Sequence, residues 1–491
     1  MQIATPSIAQ SRLTPELLSR LAEIVGESGL VRDPDDLEPY LREQRGNFKG
    51  RSPLCVLPAS TQQVAAVVKT LAEAEVPMVP QGGNTGLCGG AVAGLGGEEV
   101  IINLKRMNRV LSVDHDNFTL TVEAGCILSD VQATAMAADR LFPLSLAAEG
   151  SCQIGGNLAT NAGGTQVLRY GNARELVLGL EVVLPDGRVL DMLRGLRKDN
   201  TGYDLRHLFC GAEGTLGIIT AAVLKLFPRP REQVTAMLAL PNLQAAIAVL
   251  SRARAETGDA ITGCEFISRT ALDMVLRHIP GTREPLSQRS LHYLLLEATS
   301  TAIPRDGEAH SSSAEQLRHT CEQLFAECSD AGLIEDAVIA QSPAQRSEFW
   351  RIRESIPEAQ KPEGVSLKHD VAVPVPRVAE FVQRASERVQ AAVPGLRVCA
   401  FGHIGDGNIH FNLSQPSEGS GAAFLAERER IAAIVHDLAV DLQGSFSAEH
   451  GIGSLKRSEL RRYRSEVELS VMRSIKAALD PKGLMNPGKV L

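Results

Sequence analysis

The sequence has no long hydrophobic run, and no stretch approaches the roughly 18 consecutive apolar residues that a membrane-spanning helix needs. It also lacks blocks of one charge, because 50 Lys and Arg stand against 58 Asp and Glu, for a net charge of −8. We therefore expect no transmembrane segment and no surface for nucleic acid or an anionic membrane. The N-terminus lacks the basic and then apolar layout of a signal peptide, so we expect a cytoplasmic protein.

Paired cysteines and aromatic residues are also scarce. The nine cysteines are an odd number without a Cys-x-x-Cys pair, which favours reduced thiols that pack as small hydrophobic groups. Aromatic residues make up 4% of the chain, with a single Trp350, so a flat ligand must be held mainly by backbone and aliphatic groups. With 491 residues and 44% hydrophobic content, the chain is long enough for two or three domains, each with a core.

The residues best suited to bind a metal recur at fixed spacing in one stretch, FGHIGDGNIHFNL at 401–413. Its Asp-Gly pair favours a two-residue type I′ turn, and its flanks alternate as half-buried strands do. This register pairs His403 with His410 on one face, with Cβ atoms about 5 Å apart, and puts Asn412 on the same face. Two such imidazoles suit one shared ion. For two histidines alone, packed polar side chains of an ordinary hairpin are the alternative.

A second polar pair supports a metal site. Glu449 and His450 stand in the glycine-flanked stretch SAEHGIG at 447–453. Two histidines and one glutamate form a ligand set that keeps an open position for water or substrate. His450 is then left over, and an imidazole beside a metal is a natural general base near neutral pH.

Three glycine-rich segments, at 81–90, 149–164 and 211–219, precede these residues. Glycine lets backbone N–H groups approach a phosphate or a planar ligand closely, and a flexible turn is the alternative for any one segment alone. The first segment does not open an amphipathic helix, which disfavours a Rossmann-type nicotinamide site. Three such segments indicate one extended cofactor that the chain contacts repeatedly.

The predicted strands and helices indicate an α+β protein with a domain boundary at Pro228-Arg229-Pro230. Beyond it, their order favours a largely antiparallel sheet with helices on one face. In this part, Arg353 lies on a predicted helix, where exposed charge is the ordinary explanation. Lys368 stands in a strand-like run of apolar residues. A buried cation needs an anion, and a substrate carboxylate is a candidate.

Six motifs in order along the chain resemble those of one flavoprotein group. They are PQGGNTG at 80–86, IGGN at 154–157, GAEGTLG at 211–217, GH-x-GDGN-x-H at 402–410, EHG-x-G at 449–453 and NPGK at 486–489. From about residue 35 to its end, the chain is similar to the vanillyl alcohol oxidase and p-cresol methylhydroxylase superfamily. Within it, the chain resembles the D-2-hydroxyacid dehydrogenases, and most of all those that act on D-2-hydroxyglutarate.

The resemblance implies an FAD domain of two α+β halves over 1–228, an antiparallel-sheet cap domain over 229–440 and a segment 441–491 that returns to the FAD domain. It implies noncovalent FAD, because Asn84 stands in the first glycine loop, where relatives with covalent flavin carry a histidine. The residues that it assigns to FAD are Pro80, Gln81, Gly82, Gly83, Asn84, Thr85, Gly86, Leu87, Glu149, Gly150, Gly155, Gly156, Asn157, Thr160, Asn161, Gly163, Glu213, Gly214, Gly217, Ile219 and Asn486.

The resemblance also implies roles for the polar residues described above. The ligands of zinc, or of another divalent metal, are His403, His410 and Glu449. The residues that bind substrate are Arg353, Lys368, Asn412 and His450. In the implied reaction, the metal binds the α-hydroxyl and C1 carboxylate, His450 takes the hydroxyl proton, and the Cα hydrogen leaves as hydride to flavin N5.

The expected reaction is the oxidation of D-2-hydroxyglutarate to 2-oxoglutarate, with D-lactate, D-malate or glycolate as alternative substrates. One departure bears on this choice, because Pro357 stands where the D-2-hydroxyglutarate enzymes carry a threonine, and proline has no hydroxyl to donate. The resemblance further implies an electron-transfer flavoprotein or a quinone as electron acceptor, and a homodimer. Outside the family, a zinc hydrolase would leave the glycine-rich segments without a purpose. A binding protein without activity would not need a competent residue at every catalytic position.

Overall fold

Short strands and helices alternate through the part of the chain that carries the glycine-rich segments. The computed structural model describes residues 12–43, 46–302 and 313–491, without the side chains of 313–315. The strands of this part are β1 (Leu30–Val31), β2 (Cys55–Val56), β3 (Met78–Gln81), β4 (Val100–Asn103), β5 (Val110–Asp114), β6 (Thr119–Glu123), β7 (Arg140–Leu141), β8 (Val177–Val183), β9 (Val189–Met192), β10 (Ile218–Lys225) and β11 (Phe227–Pro228). The helices are α1 (Pro15–Val25), α2 (Pro34–Leu41), α3 (Thr61–Glu73), α4 (Leu128–Ala137), α5 (Ile154–Ala159), α6 (Val167–Tyr170) and α7 (Arg206–Phe209).

Two sheets share one hydrophobic core in this part. The first has the order β1-β2-β4-β3, in which β2, β4 and β3 run parallel. The second has the order β5-β6-β10-β8-β9 and is antiparallel. Buried side chains from both sheets and from α1, α3 and α4 meet in a single cluster. The first glycine-rich segment follows β3, the second contains α5 and the third leads into β10. A common core therefore holds all three in place.

Local sequence signals explain where the first helix begins and which side it buries. Thr14 caps α1 by accepting a hydrogen bond from the Leu17 N–H at 3.3 Å, and Pro15 occupies the first turn. Leu17, Leu21 and Val25 are buried. Their spacing of four residues places them on one face of the helix, toward the core.

The chain beyond residue 230 builds a larger sheet. Its strands are β12 (Glu232–Leu240), β13 (Ile261–Ser268), β14 (His292–Ser300), β15 (Asp336–Ile339), β16 (Ser366–Leu367), β17 (Asp370–Ala372), β18 (Arg397–His403) and β19 (Asn408–Ser414). The helices are α8 (Leu243–Glu256), α9 (Arg269–His278), α10 (Ser313–Asp330), α11 (Pro343–Glu354), α12 (Ile356–Ala359), α13 (Val378–Ala392), α14 (Gly421–Ala426), α15 (Arg428–Asp441), α16 (Arg457–Tyr463) and α17 (Glu466–Leu479). Over the described residues, the sheet has the antiparallel order β15-β12-β14-β13-β18-β19-β16, and β17 also pairs with β19.

Helices cover both faces of this sheet, so the prediction of helices on one face was wrong. α8, α10, α13 and α15 pack on the face that holds Ile404, Ile409 and Phe411. α9, α11 and α12 pack on part of the opposite face, around Cys399 and Phe401. β12 and β14 are buried along nearly their whole length. Such continuous apolar runs indicate burial on both faces, a signal that a prediction from the order of elements did not use.

The C-terminal tail returns to the first sheet. The Met78 N–H in β3 donates to the Leu484 carbonyl at 2.8 Å, and the Asn486 N–H donates to the Met78 carbonyl at 2.7 Å. Leu484 and Met485 are buried in the core of that part. The tail therefore docks along the β3 edge, while the domain limits at 228 and 440 stay a prediction. In the part of the chain that the structure describes, every helix is too short or too polar to cross a membrane.

Candidate active site

The histidine stretch forms a hairpin with a different register from the predicted one. β18 and β19 pair Phe401 with His410, which is two residues away from the predicted pairing of His403 with His410. The loop is longer than two residues, and Gly407 has a positive φ of 82° whereas Asp406 does not, so the predicted type I′ turn was wrong. Because side chains alternate with period two, the shift keeps both histidines on one face. Their ring centroids lie 5.4 Å apart.

A neighbouring segment explains the longer loop. The Val373 N–H donates to the Gly407 carbonyl at 3.1 Å. A Cβ atom on Gly407 would lie 2.0 Å from the Val373 carbonyl oxygen. Glycine is thus needed here for a close contact between two segments as well as for its positive φ. A local turn rule cannot anticipate this tertiary contact.

The structure brings His403, His410 and Glu449 together. The Nε2 atom of His403 lies 3.8 Å from one carboxylate oxygen of Glu449, and Nε2 of His410 lies 3.8 Å from the other. Bonds of about 2.1 Å in a tetrahedral arrangement put the ligand atoms of a zinc ion roughly 3.4 Å apart. Small side-chain movements therefore suffice to close this set around a divalent ion, and its donor chemistry fits one.

A second possible ligand set, Asp370, Glu449 and His450, shares one carboxylate with the first. Asp370 is less suited to a metal, because its oxygens already accept hydrogen bonds. The Glu449 and His450 N–H groups donate to its Oδ2 at 2.9 and 3.0 Å, and Asn408 donates to its Oδ1 at 2.9 Å. Nδ1 of His450 lies 3.4 Å from the same carboxylate. Asp370, which the sequence analysis missed, therefore holds this loop and orients its imidazole.

Glu265 is a second carboxylate that the sequence analysis missed, and it has no exposed surface. It lies on β13, directly opposite His403 on β18. Its Oε1 lies 2.6 Å from His403 Nδ1, and its Oε2 accepts from Arg353 Nε at 2.7 Å. The contact at Nδ1 leaves Nε2 of His403 facing Glu449 and available for a metal. The one signal in the sequence was an acidic residue within an apolar strand.

Burial and charge shift the pKa values of these groups. Burial acts to raise the pKa of Glu265, but Arg353 and His403 outweigh it and lower the pKa to about 2. Burial acts to lower the pKa of His403, but Glu265 and Glu449 raise it to about 9. Burial raises the pKa of Glu449 to about 7 and lowers that of His410 well below its ordinary value. Binding of a metal therefore has to displace a proton from His403.

The residues predicted to bind substrate differ in burial. Arg353 is buried, with its guanidinium carbon 4.9 Å from the centre of the Phe401 ring. Asn412 is also buried and donates through Nδ2 to Oε1 of Gln360 at 2.8 Å. Lys368 is exposed between β16 and β17, so the prediction of a buried lysine was wrong. Its two neighbours in the sequence are buried, and the apolar run there reflects simple alternation.

Several residues assigned to FAD offer what a large polar cofactor needs. Among the described residues, no atom beyond the adjacent chain lies within 4 Å of the Cβ position at Gly86, Gly150 or Gly156, so a ligand can approach the backbone there. The buried oxygens Asn486 Oδ1 and Gln153 Oε1 have no hydrogen-bond partner among the described residues. Buried polar atoms are normally paired, so these two fit a site for a polar ligand.

Other residues assigned to FAD pack around this site. A Cβ atom on Gly83 would lie 2.1 Å from the Ser151 carbonyl oxygen, so this glycine brings the first two glycine-rich segments together. The buried residues among those assigned to FAD include Gly155, Asn157, Gly217 and Ile219. The partly exposed ones include Pro80, Gly82, Thr85, Leu87, Glu149, Thr160 and Asn161.

Two side-chain amides of the first glycine-rich segment anchor it to neighbouring backbone. Gln81 donates through Nε2 to the carbonyls of Tyr40 and Ala91, at 2.9 and 2.8 Å. Asn84 donates through Nδ2 to the Arg42 carbonyl at 2.8 Å. These contacts hold the loop in shape, and the Asn84 amide is directed at the protein backbone.

Three contacts join the FAD-binding part to the candidate metal site. A Cβ atom on Gly163 would lie 2.8 Å from Oε1 of Glu449. The Glu213 carboxylate accepts hydrogen bonds from the N–H groups of Ile452 and Gly453, both at 2.7 Å. The side chain of Glu213 thus anchors the loop that follows Glu449, and the backbone carbonyl of Glu213 accepts from Asn486 Nδ2 at 2.7 Å. The next residue, Gly214, has a positive φ of 70° and packs against Pro80.

Comparison with known proteins first defines the class. Residues 53–193 match the FAD binding domain family, and residues 229–490 match the family of FAD linked oxidases, C-terminal domain. A solved structure of p-cresol methylhydroxylase with substrate bound superposes with a TM-score of 0.73 at 15% identity, covering 99% of this chain and 98% of that chain. The predicted fold class is therefore confirmed, and the chain is an FAD-linked oxidoreductase.

Sequence relatives narrow the family. The chain is 39% identical over 481 residues to a mitochondrial D-2-hydroxyglutarate dehydrogenase of Arabidopsis thaliana, covering 98% of this chain and 82% of the relative. It is 39% identical over 476 residues to the D-2-hydroxyglutarate dehydrogenase of Xanthomonas citri pv. viticola, covering 97% of each. The chain belongs to the D-2-hydroxyglutarate dehydrogenase family, and it is an FAD-dependent dehydrogenase.

Proposed function

We propose that the chain oxidises D-2-hydroxyglutarate to 2-oxoglutarate, with a divalent metal, zinc in the first place, as a second cofactor beside FAD. One observation carries the proposal: the buried guanidinium of Arg353 and the ligand His403 flank the same carboxylate, Glu265, at 2.7 and 2.6 Å. A metal and an arginine so close together form two anchors for anionic groups. A short hydroxyacid with two carboxylates needs two such anchors.

The side chains around the site divide the work of the reaction. His450 takes the proton of the α-hydroxyl at Nε2, because its Nδ1 lies 3.4 Å from Asp370. Arg353 binds the distal carboxylate through its terminal nitrogens, because Nε donates to Glu265. Asn412, on the same face as His410, contacts the substrate between these groups.

The cofactors supply the remaining chemistry. His403, His410 and Glu449 would hold the metal, which would supply a Lewis acid that makes the substrate hydroxyl easier to deprotonate. The glycine-rich segments would hold FAD, which would supply the hydride acceptor. The open backbone at Gly86 and Gly156 supports this placement of the cofactor. We propose an electron-transfer flavoprotein or a quinone as the next acceptor, and a homodimer as the working form.

D-lactate or another short D-2-hydroxyacid is the second candidate substrate, and two observations favour it. Lys368 is exposed, so it contributes less to a buried anion site than a buried lysine would. Pro357 offers no hydroxyl at a position where the resemblance implies a donor. Both features reduce the number of groups that can bind a distal carboxylate.

Anaerobic mixing of the FAD- and zinc-loaded protein with each substrate tests the proposal. We expect D-2-hydroxyglutarate to bleach the flavin band at about 450 nm much faster than D-malate or D-lactate does. A chelator should abolish the bleaching. Arg353→Met should remove this preference. Arg346→Met should not, because Arg346 lies on the same helix as Arg353 but pairs with Glu297, away from the site. Equal rates with D-lactate would favour the second candidate. Bleaching by none of the three acids would refute the proposal.

A further inference from the structure

Glu265 contacts both proposed anchors at once. One of its oxygens contacts His403 Nδ1 and the other contacts Arg353 Nε, and the side chain has no solvent access. Water therefore cannot replace either contact, and each partner depends on the position of one rigid carboxylate. A rotation of this group that improves one contact must change the other.

We propose that Glu265 is a positioning residue that couples the metal site to Arg353, so that the two ends of the substrate are recognised together. The inference rests on the proposed function for its two ligands, the metal and the distal carboxylate. A metal on Nε2 of His403 draws electron density from the ring and strengthens the hydrogen bond from Nδ1–H to the carboxylate. This bond holds Glu265, which in turn fixes the guanidinium of Arg353 for a carboxylate in its plane.

The same sheet contains a matched carboxylate outside the site. Glu297 lies on the neighbouring strand β14, on the same face as Glu265, and is almost as deeply buried at 2% exposure. It accepts hydrogen bonds from Arg346 Nε at 2.9 Å and from Trp350 Nε1 at 2.8 Å. Arg346 and Arg353 are both on α11. Glu297 therefore reproduces the pairing of a buried carboxylate with an arginine, here a partly exposed one, without contact to a proposed metal ligand.

Glu265→Gln is the first test, with Glu297→Gln as its control. A glutamine amide accepts through one oxygen only, and its NH2 group then faces the donor of the other partner. In the FAD-loaded protein, we expect Glu265→Gln to weaken Zn²⁺ binding, measured by competition with a chelator, by about 10- to 100-fold. At saturating Zn²⁺, it should also reduce the preference for D-2-hydroxyglutarate over D-lactate by about tenfold. Glu297→Gln should change thermal stability but neither of these quantities.

Two outcomes of this test would overturn the proposal. If Glu265→Gln weakens Zn²⁺ binding and leaves the substrate preference unchanged, Glu265 only orients His403. If Glu265→Gln and Glu297→Gln give the same Zn²⁺ affinity and the same substrate preference, Glu265 only forms an ordinary buried ion pair with Arg353.

A second pair of variants tests the coupling without any substrate and without removing the buried acid. Arg353→Lys keeps the charge but loses the Nε–H donor. Because of the coupling, it should weaken Zn²⁺ binding by about threefold or more, although Arg353 is not among the proposed ligands. Arg346→Lys should leave Zn²⁺ binding unchanged. Equal Zn²⁺ affinities in these two variants would refute the coupling even if D-2-hydroxyglutarate proved not to be the substrate.

Discussion

Replacing Asp370 by asparagine tests two roles of this residue separately. One is its hydrogen bonds to the loop that carries Glu449 and His450, and the other is its negative charge beside His450, the proposed base. The carboxylate accepts N–H groups from Glu449 and His450 at 2.9 and 3.0 Å and the Asn408 amide at 2.9 Å. Burial acts to raise the pKa of Asp370, but the imidazoles of His450 and His410 outweigh it and hold the pKa well below its ordinary value. The acid is therefore an anion at neutral pH.

The structure allows Asp370→Asn to keep most of these hydrogen bonds. The amide oxygen can accept from the two backbone N–H groups. The new NH2 group can donate to the Asn408 Oδ1 if that amide turns over, but the Asn408 amide then loses its hydrogen bond to the Val371 carbonyl at 2.9 Å. We therefore expect the free energy of unfolding to fall by about 2 kcal/mol, as hydrogen bonds to a charge become neutral ones and one hydrogen bond is lost.

The loss in catalysis should be larger than the loss in stability. His450 becomes a cation when it takes the hydroxyl proton, with its Nδ1 3.4 Å from the carboxylate. Two unit charges at that distance interact by about 5 kcal/mol at an effective dielectric constant near 20. The imidazole is 27% exposed, and screening by solvent reduces this to roughly 3 kcal/mol. The bleaching rate at saturating D-2-hydroxyglutarate should fall about 100-fold.

Asp480→Asn is the matched control for this experiment. Asp480 is also buried and accepts the N–H groups of Leu484 and Met485 at 3.0 and 2.9 Å, but it faces no proposed catalytic group. Rates are compared per bound flavin by anaerobic stopped flow, and stabilities by thermal unfolding. If both variants bleach at the same rate, Asp370 is a structural residue and the assignment of His450 loses its support.

Two further predictions follow from single contacts. Burial acts to raise the pKa of Glu363, but hydrogen bonds from His278 and Arg397 lower it to about 2 from an ordinary 4.5. This stabilisation is complete above pH 4.5 and is lost as the pH falls to about 2, so over that range the wild type should lose about 3 kcal/mol more than Glu363→Gln; parallel plots of unfolding midpoint against pH for the two proteins would contradict it. Gly163→Ala places a Cβ atom 2.8 Å from Oε1 of Glu449, which should weaken Zn²⁺ binding in chelator competition by about tenfold. Because Gly163 is also assigned to FAD, the affinities are compared at full FAD occupancy; an unaltered Zn²⁺ affinity would contradict the assignment of Glu449 as a ligand.

Local patterns in the sequence predicted those parts of the fold that depend on neighbours in the chain. The cap of α1 by Thr14 and the buried face of that helix follow from a few adjacent residues. The hairpin shows both the strength and the limit of this reasoning. Alternation correctly placed His403 and His410 on one face, but the turn rule chose the wrong register because it omits the contact between Gly407 and Val373.

The carboxylates that orient the site could not be predicted in this way. Glu265 stands 138 residues before His403, and it has meaning for the site only because β13 pairs with β18. Asp370 likewise acts on a loop about 80 residues later. The residue pattern of a single strand does not determine which strands are its neighbours in the sheet. The residues proposed to bind a metal were therefore readable as motifs, whereas the acids that hold them in place stand alone in the sequence, and only the order of strands brings them near their partners.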